Sequence, residues 1–179
     1  MSESHLNRRS ILKYAAGAVA TLVLPTPAFS GARSRSLALY NLHTGEELST
    51  AYWEEGRYIQ ESLADINRLL RDYRNGEILP IALGLLDTLC ELRTALDSKE
   101  PFEIISGYRS PATSAKLQRE GHGVATNSLH TKGMAADVRL RGRSLRVLHR
   151  AALSLKAGGV GYYPESQFVH VDIGRVRTW

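Results

Sequence analysis

The apolar residues of this chain change period along its length, from two to helical and back, and that change limits what it can fold into. Leu37 to Leu42 alternates loosely and ends at the turn His43-Thr44-Gly45-Glu46, predicting a hairpin with a return strand from Glu47 to Trp53. From Glu54 the period turns helical. Ile59, Leu63, Ile66, Leu70 and Tyr73 form one stripe, stopped by Asn75-Gly76. A second helix is expected from Pro80 to about Leu96, with Ala82, Leu85, Leu89, Leu92 and Leu96 inward and Cys90 at the border of that face.

Further on, Phe102 to Ser106 reads as a strand entering a turn at Gly107–Pro111. Ser110 caps a short helix whose first residue is Pro111, ending near Gly121. Gly121 to Gly133 has no clean period and reads as loop, and Met134 to Leu140 as a strand. Ser144 caps a third long helix carrying Leu145, Leu148, Ala152 and Leu155, which Gly158-Gly159 stops. Val160–Tyr163 and Phe168–Ile173 are short strands joined through Pro164–Gln167. Helices followed by hairpins, without regular βαβ alternation, argue for an α+β fold with a mainly antiparallel sheet packed against helices. One Cys cannot form an internal disulfide, so a single domain of this length must be held by its core or by a metal. At 43% hydrophobic and 23% charged residues, disordered and collagen-like classes are excluded.

Residues 1–30 read as an address rather than structure. Asn7-Arg8-Arg9-Ser10-Ile11-Leu12-Lys13 precedes an apolar run from Tyr14 to Leu24, then Pro25–Ser30 with small residues at its exit. Eleven apolar residues are too few to span a bilayer core of about 30 Å. The pattern is that of a secretory signal cut after Ser30, or after Ala32, with an uncleaved amphipathic anchor as the alternative. Its paired arginines resemble a twin-arginine export signal, although Asn7 stands where Ser or Thr is usual and Ile11 where Phe is usual. The expected organisation is a leader over 1–30 and a domain over 31–179, placed in the periplasm or cell-wall space. Of the net charge of +5, Arg8, Arg9 and Lys13 against Glu3 supply +2, leaving a mild +3 for the domain. That excess permits acidic polymers as partners and is weak support for nucleic acid.

Five histidines follow the leader: His43, His122, His130, His149 and His170. His149 reads as a solvated side chain in an Arg-rich helix and His43 as an ordinary turn residue. His130 precedes Asp137 by seven positions, so a loop His and a strand Asp can converge. In Phe168-Val169-His170-Val171-Asp172-Ile173, period two puts Phe168, His170 and Asp172 on one face, fronting a cleft or solvent. Two imidazoles and a carboxylate make an open three-ligand set that suits zinc, whose bound water has a pKa of roughly 7. Spacing alone is equally compatible with separate surface histidines, because no compact metal motif is present.

Three segments then stand together: Ser106-Gly107-Tyr108-Arg109-Ser110, Ser128-Leu129-His130-Thr131-Lys132-Gly133-Met134-Ala135-Ala136-Asp137, and Phe168-Val169-His170-Val171-Asp172. As a set they resemble the zinc D-alanyl-D-alanine peptidase family over roughly residues 100–174. The branch most resembled is the exported murein endopeptidases, through Leu42–Glu46 and Arg71-Asp72-Tyr73-Arg74 as well.

The resemblance implies zinc held by His130, Asp137 and His170, with Arg109 near the substrate carbonyl or carboxylate. A guanidinium on a strand-end turn suits either oxygen; a structural salt bridge is its other reading. Ser128 is expected to orient His130 through a hydrogen bond. Relatives often supply a general base as a His two before the last ligand or a Glu three before it. Here those positions are Phe168 and Gln167. Asp172 is then either the base or a carboxylate that orients a zinc-bound imidazole. The implied activity is hydrolysis of amide bonds in peptidoglycan stems or cross-links by a murein endopeptidase, with a monomer as the default expectation. A carboxypeptidase and a non-catalytic zinc-containing wall-binding protein are the alternatives, and D,D or L,D stereochemistry is not fixed by the motifs.

Overall fold

The turn at His43–Glu46 closes the first hairpin: β1 (Ser34–Asn41) pairs antiparallel with β2 (Glu47–Glu54). Asn41 locks it, its Oδ1 accepting from the backbone N–H of His43 and Thr44 while its Nδ2 donates to the Leu69 carbonyl. The computed structural model describes residues 34–121 and 125–179, so the leader expected at 1–30 and His122 lie outside the described residues.

The apolar stripe from Ile59 to Tyr73 yields a shorter helix than its period predicts. Glu55 and Gly56, at φ 45° and 86°, turn the chain back into a two-residue strand, β3 (Arg57–Tyr58), before α1 (Gln60–Leu69) begins. After α1 the Leu70 carbonyl accepts from the Tyr108 N–H at 2.8 Å, and Tyr73 leaves the helical path to stack on His43. The second helix, α2 (Leu83–Ala95), starts three residues after Pro80. Asn67 Oδ1 accepts the Ile81 N–H and the Gly133 carbonyl accepts the Ala82 N–H, holding that segment extended.

The remaining elements follow the pattern closely. They are β4 (Phe102–Ser106), α3 (Pro111–Arg119), β5 (Ala135–Leu140), α4 (Leu145–Leu155), β6 (Gly159–Tyr163) and β7 (Phe168–Asp172). Ser110 and Ser144 cap their helices, accepting from the Thr113 and Val147 N–H groups. Besides β3, two elements have no counterpart in the sequence pattern: a 3-10 helix at Leu129–Lys132 inside the expected loop, and β8 (Arg177–Thr178).

The strands form one sheet in the order β3-β2-β1-β4-β5-β7-β6-β8, antiparallel except for β1 with β4 and β6 with β8. The fold is therefore α+β with a mainly antiparallel sheet. Ala136, Val138, Val169 and Val171 face a core that includes Leu85, Leu89 and Leu92 of α2 and Leu148 of α4. Each such leucine contributes about 1.5–3 kcal/mol by leaving water. Alternation then turns Asp137 and His170 to the opposite face of the sheet.

Three arginines at and just after the end of β5 are occupied within the fold. Arg139 and Arg141 reach Glu103 at 3.1 and 3.5 Å, while Arg143 donates to the carbonyls of Leu96 and Asp97 beyond α2. His149 is not simply solvated: it packs half-buried on Tyr162 with ring centres 4.7 Å apart.

Candidate active site

Sheet register brings the sequence-distant residues together. Asp137 on β5 lies directly opposite His170 on β7, and Ala135 lies opposite Asp172. A one-residue slip would turn Asp137 into the core, so the register that buries Ala136 and Val138 also fixes the site. His130 enters from the 3-10 helix that runs into β5.

The ring nitrogens can be assigned from their partners. His130 Nδ1 lies 2.7 Å from the Gly107 carbonyl, which can only accept, so Nδ1 carries the hydrogen and Nε2 keeps its lone pair. His170 Nε2 lies 3.0 Å from Asp172 Oδ2, so His170 turns Nδ1 inward. His130 Nε2, Asp137 Oδ1 and His170 Nδ1 then converge at 2.8, 3.2 and 3.3 Å from one another. Ligand bonds of about 2.0–2.1 Å at tetrahedral angles require ligand atoms about 3.3 Å apart, so the set fits a small divalent cation.

The electrostatics agree. All three residues are buried. Burial alone would raise the Asp137 carboxyl, but the two histidines outweigh it and hold the group well below the usual carboxylate range. Burial would lower the His170 imidazole, and the carboxylates of Asp137 and Asp172 reverse that and raise it. Three electron-pair donors crowded this closely need a positive charge among them, either a proton or a metal ion.

Asp172 is buried behind His170, on the ring edge away from the cluster. Its Oδ1 accepts from the N–H groups of Gly159 and Gly174 at 3.0 and 2.8 Å. Arg177 grips both oxygens, at 3.1 Å to Oδ1 and 2.7 Å to Oδ2. Burial favours the neutral acid, yet His170, Arg177 and the two backbone donors keep Asp172 ionised far below the usual range. A Cβ at position 159 would fall 2.5 Å from Asp172 Oδ2, which explains the glycine there.

Arg109, in the turn after β4, is 8% exposed, and its NH2 lies 3.8 Å from Asp137 Oδ2. Its Nε has no partner, and burial lowers its pKa. Arg109 lines the cleft, where a desolvated guanidinium is suited to take a substrate oxygen. The expectation for Ser128 is corrected. Gly107 supplies the hydrogen bond that orients His130, whereas Ser128 gives its backbone carbonyl to Thr131 and lines the cleft.

That cleft, of about 470 Å³, is lined by the cluster together with Arg109, Tyr163, Phe168, Arg177 and Trp179. Trp179 lies 5.3 Å from the His170 ring, and its Nε1 donates to the Tyr163 hydroxyl at 2.7 Å. Sequence reasoning missed Gly107, Arg177 and Trp179. The first acts through its backbone, and Arg-x-Trp after the last recognisable strand carries no periodic signal; only the large aromatic residue outside the pattern marked the place.

Comparison with known proteins accords with this geometry. The family model described as "Peptidoglycan L,D-endopeptidase MepK" matches residues 29–179. A protein of that name from Escherichia coli (strain K12) is 46% identical over 182 residues, covering 100% of both chains. The "Probable peptidoglycan L,D-endopeptidase MepK" of Haemophilus influenzae is 37% identical over 177 residues, covering 97% of this chain and 95% of that one. The chain therefore belongs to this family of peptidoglycan peptidases within the zinc D-alanyl-D-alanine peptidase group.

Proposed function

We propose that this protein is a zinc-dependent endopeptidase that hydrolyses L,D-peptide bonds in peptidoglycan cross-links. The observation that carries the proposal is the convergence of His130 Nε2, Asp137 Oδ1 and His170 Nδ1 within 3.3 Å of one another. These three residues would hold the zinc. When bound, it supplies a Lewis acid for the scissile carbonyl and acidifies water at neutral pH.

The chain's own groups do the rest. Gly107 and Asp172 fix the tautomers of His130 and His170, so that each ring presents a lone pair to the ion. Asp172 is a positioning residue in this reading. All of its observed contacts lie behind the His170 ring, and it is absent from the cleft wall. Arg109 binds the substrate oxygen and stabilises charge that develops on it, in a site whose burial strengthens the interaction. The endopeptidase names of the family model and of relatives matched over the whole chain support an endopeptidase over a carboxypeptidase.

The substrate class sets the destination. Peptidoglycan lies beyond the cytoplasmic membrane, so residues 1–30 act as a twin-arginine-like export leader and residues 31–179 as the working domain, a periplasmic monomer. Among the described residues no helix is long and apolar enough to cross a membrane.

Purified protein lacking the leader, incubated with cross-linked muropeptide dimers, is the direct test. Mass analysis should show monomers from cleavage at the L,D bond, abolished by a chelator and restored by zinc. Cleavage insensitive to the chelator, or no cleavage with zinc restored, would overturn the proposal.

A further inference from the structure

The mechanism leaves one part of the sequence pattern unused: the segments Leu42–Glu46 and Arg71–Arg74. In the structure they form one unit. Arg71 NH1 meets Glu46 Oε2 at 2.6 Å, and the His43 ring stacks on Tyr73 with centres 3.8 Å apart and planes 11° from parallel. The Arg74 guanidinium covers the Tyr73 ring at 4.2 Å, and His43 Nε2 donates to the Ile105 carbonyl at 2.9 Å. The result is a three-layer stack of imidazole, phenol and guanidinium anchored to β4.

This stack lines a second pocket, of about 360 Å³, with Leu117, Arg109 and Asp137. Arg109 and Asp137 also line the first cleft, so the two spaces are arms that both border the cluster. Both carry guanidiniums beside apolar groups: Arg109 and Arg177 in the first, Arg74 and Arg109 with Tyr73, Ile105 and Leu117 in the second. Arg74 is exposed and makes no ion pair among the described residues, and Arg109 carries the buried, unpartnered Nε. The carboxylate in the arm, Asp137, is shared among His130, His170 and Arg109, which leaves Arg74 without a carboxylate partner among the described residues.

We infer that this second arm is a carboxylate subsite, in which Arg74 selects substrates bearing a free carboxylate beside the cross-link over their carboxamide counterparts. The inference rests on the endopeptidase reading, since that reaction places peptide on both sides of the scissile bond. The rigid stack holds Arg74 at the pocket's rim, and desolvated Arg109 at its floor strengthens the field. The two segments left over from the mechanism thereby acquire a role, because Arg71–Glu46 and His43–Tyr73 hold the platform on which Arg74 lies.

The test compares zinc-loaded protein lacking the leader with Arg74→Gln and Arg74→Glu variants. Each is given two synthetic cross-linked peptide dimers, identical except that one has free carboxylates and the other carboxamides beside the cross-link. The wild type should favour the acid in kcat/KM by roughly tenfold or more, as a charge-assisted hydrogen bond allows. Arg74→Gln should bring that ratio close to one, and Arg74→Glu should invert it. Unaltered zinc content and melting temperature in both variants would separate loss of the subsite from loss of the fold. Equal ratios in wild type and Arg74→Gln would overturn the inference while leaving the endopeptidase reading intact. Should no protein cleave either dimer, the endopeptidase reading fails. Calorimetric binding of the same dimers still decides the subsite: affinity for the acid that is independent of Arg74 refutes it.

Discussion

His170 and Asp172 stand two positions apart on one strand, and the carboxylate meets the ring at Nε2, opposite the nitrogen that faces Asp137. A carboxylate in that position sets the ring's tautomer and tilt. Asp172→Asn should therefore weaken zinc binding about 10–100-fold, the usual cost of losing such a partner, with most activity regained in excess zinc. Titration against a competing chelator, paired with kcat at saturating metal, separates the roles. A large loss of kcat that persists with the site fully loaded would make Asp172 the general base instead.

His130 has its own orienting partner, the Gly107 carbonyl, and Gly107 is confined by packing. A Cβ there would lie 2.5 Å from the Leu70 carbonyl oxygen and 3.0 Å from Leu70 Cβ. Gly107→Ala must push the turn away from the end of α1, moving both the carbonyl that holds His130 and the Tyr108 N–H bonded to Leu70. The expected outcome is a stability loss of about 1–3 kcal/mol by strain, with weaker zinc binding in the same variant. Urea unfolding and metal titration on one preparation check both. Lower stability with unchanged zinc affinity would show that His130 is held by other means.

The set of His130, Asp137 and His170 came from the resemblance of three segments, because spacing alone left separate surface histidines equally open. Period two in Phe168–Ile173 put His170 and Asp172 on one face, and they do touch. The convergence of His130 on Asp137 depended on a 3-10 helix that no apolar period announces. Other features were illegible because backbone atoms or late contacts create them. The Gly107 carbonyl has no side-chain signature, and Arg177 acquires its role only when β8 pairs beside β6. Tyr73 fits the helical stripe in sequence, yet its stacking on His43 and the hydrogen bonds around Asp72 take it out of the helix.

Asp72 anchors that departure. Fully buried, it accepts the Ser110 N–H at 2.9 Å and the Arg74 N–H at 3.1 Å. Burial would raise its carboxyl, but the hydrogen bonds from Thr113, Ser110 and Arg74 prevail and hold it below the ordinary value of 3.8. A depressed folded-state pKa contributes stability above the unfolded value, and that contribution is lost as pH falls through the folded one. Asp72→Asn should thus cost about 2–3 kcal/mol near pH 7. The gap from wild type should narrow below pH 4. Chemical denaturation of both proteins at pH 7 and at pH 3.5 measures this, and a gap independent of pH would show that shape rather than charge holds the turn.

Metal removal should loosen the site without unfolding the domain. Of the proposed ligands, Asp137 and His170 lie on the sheet face opposite the core and His130 on the 3-10 helix, and Leu85, Leu89, Leu92 and Leu148 pack in the core apart from them. The metal-free protein has a further means of relief. A proton on His170, favoured by Asp137 and Asp172, neutralises the crowding among the three donors. Zinc that binds only the folded state at a hundred times its dissociation constant adds about 2.7 kcal/mol. For a domain of this size that corresponds to a melting temperature roughly 5–10 °C higher. Chelated protein should keep its far-ultraviolet circular dichroism and melt cooperatively at the lower temperature. Because zinc must displace the His170 proton, its affinity should rise with pH until that proton is gone, then level off. A chelated form without secondary structure would instead make the metal a requirement of the fold.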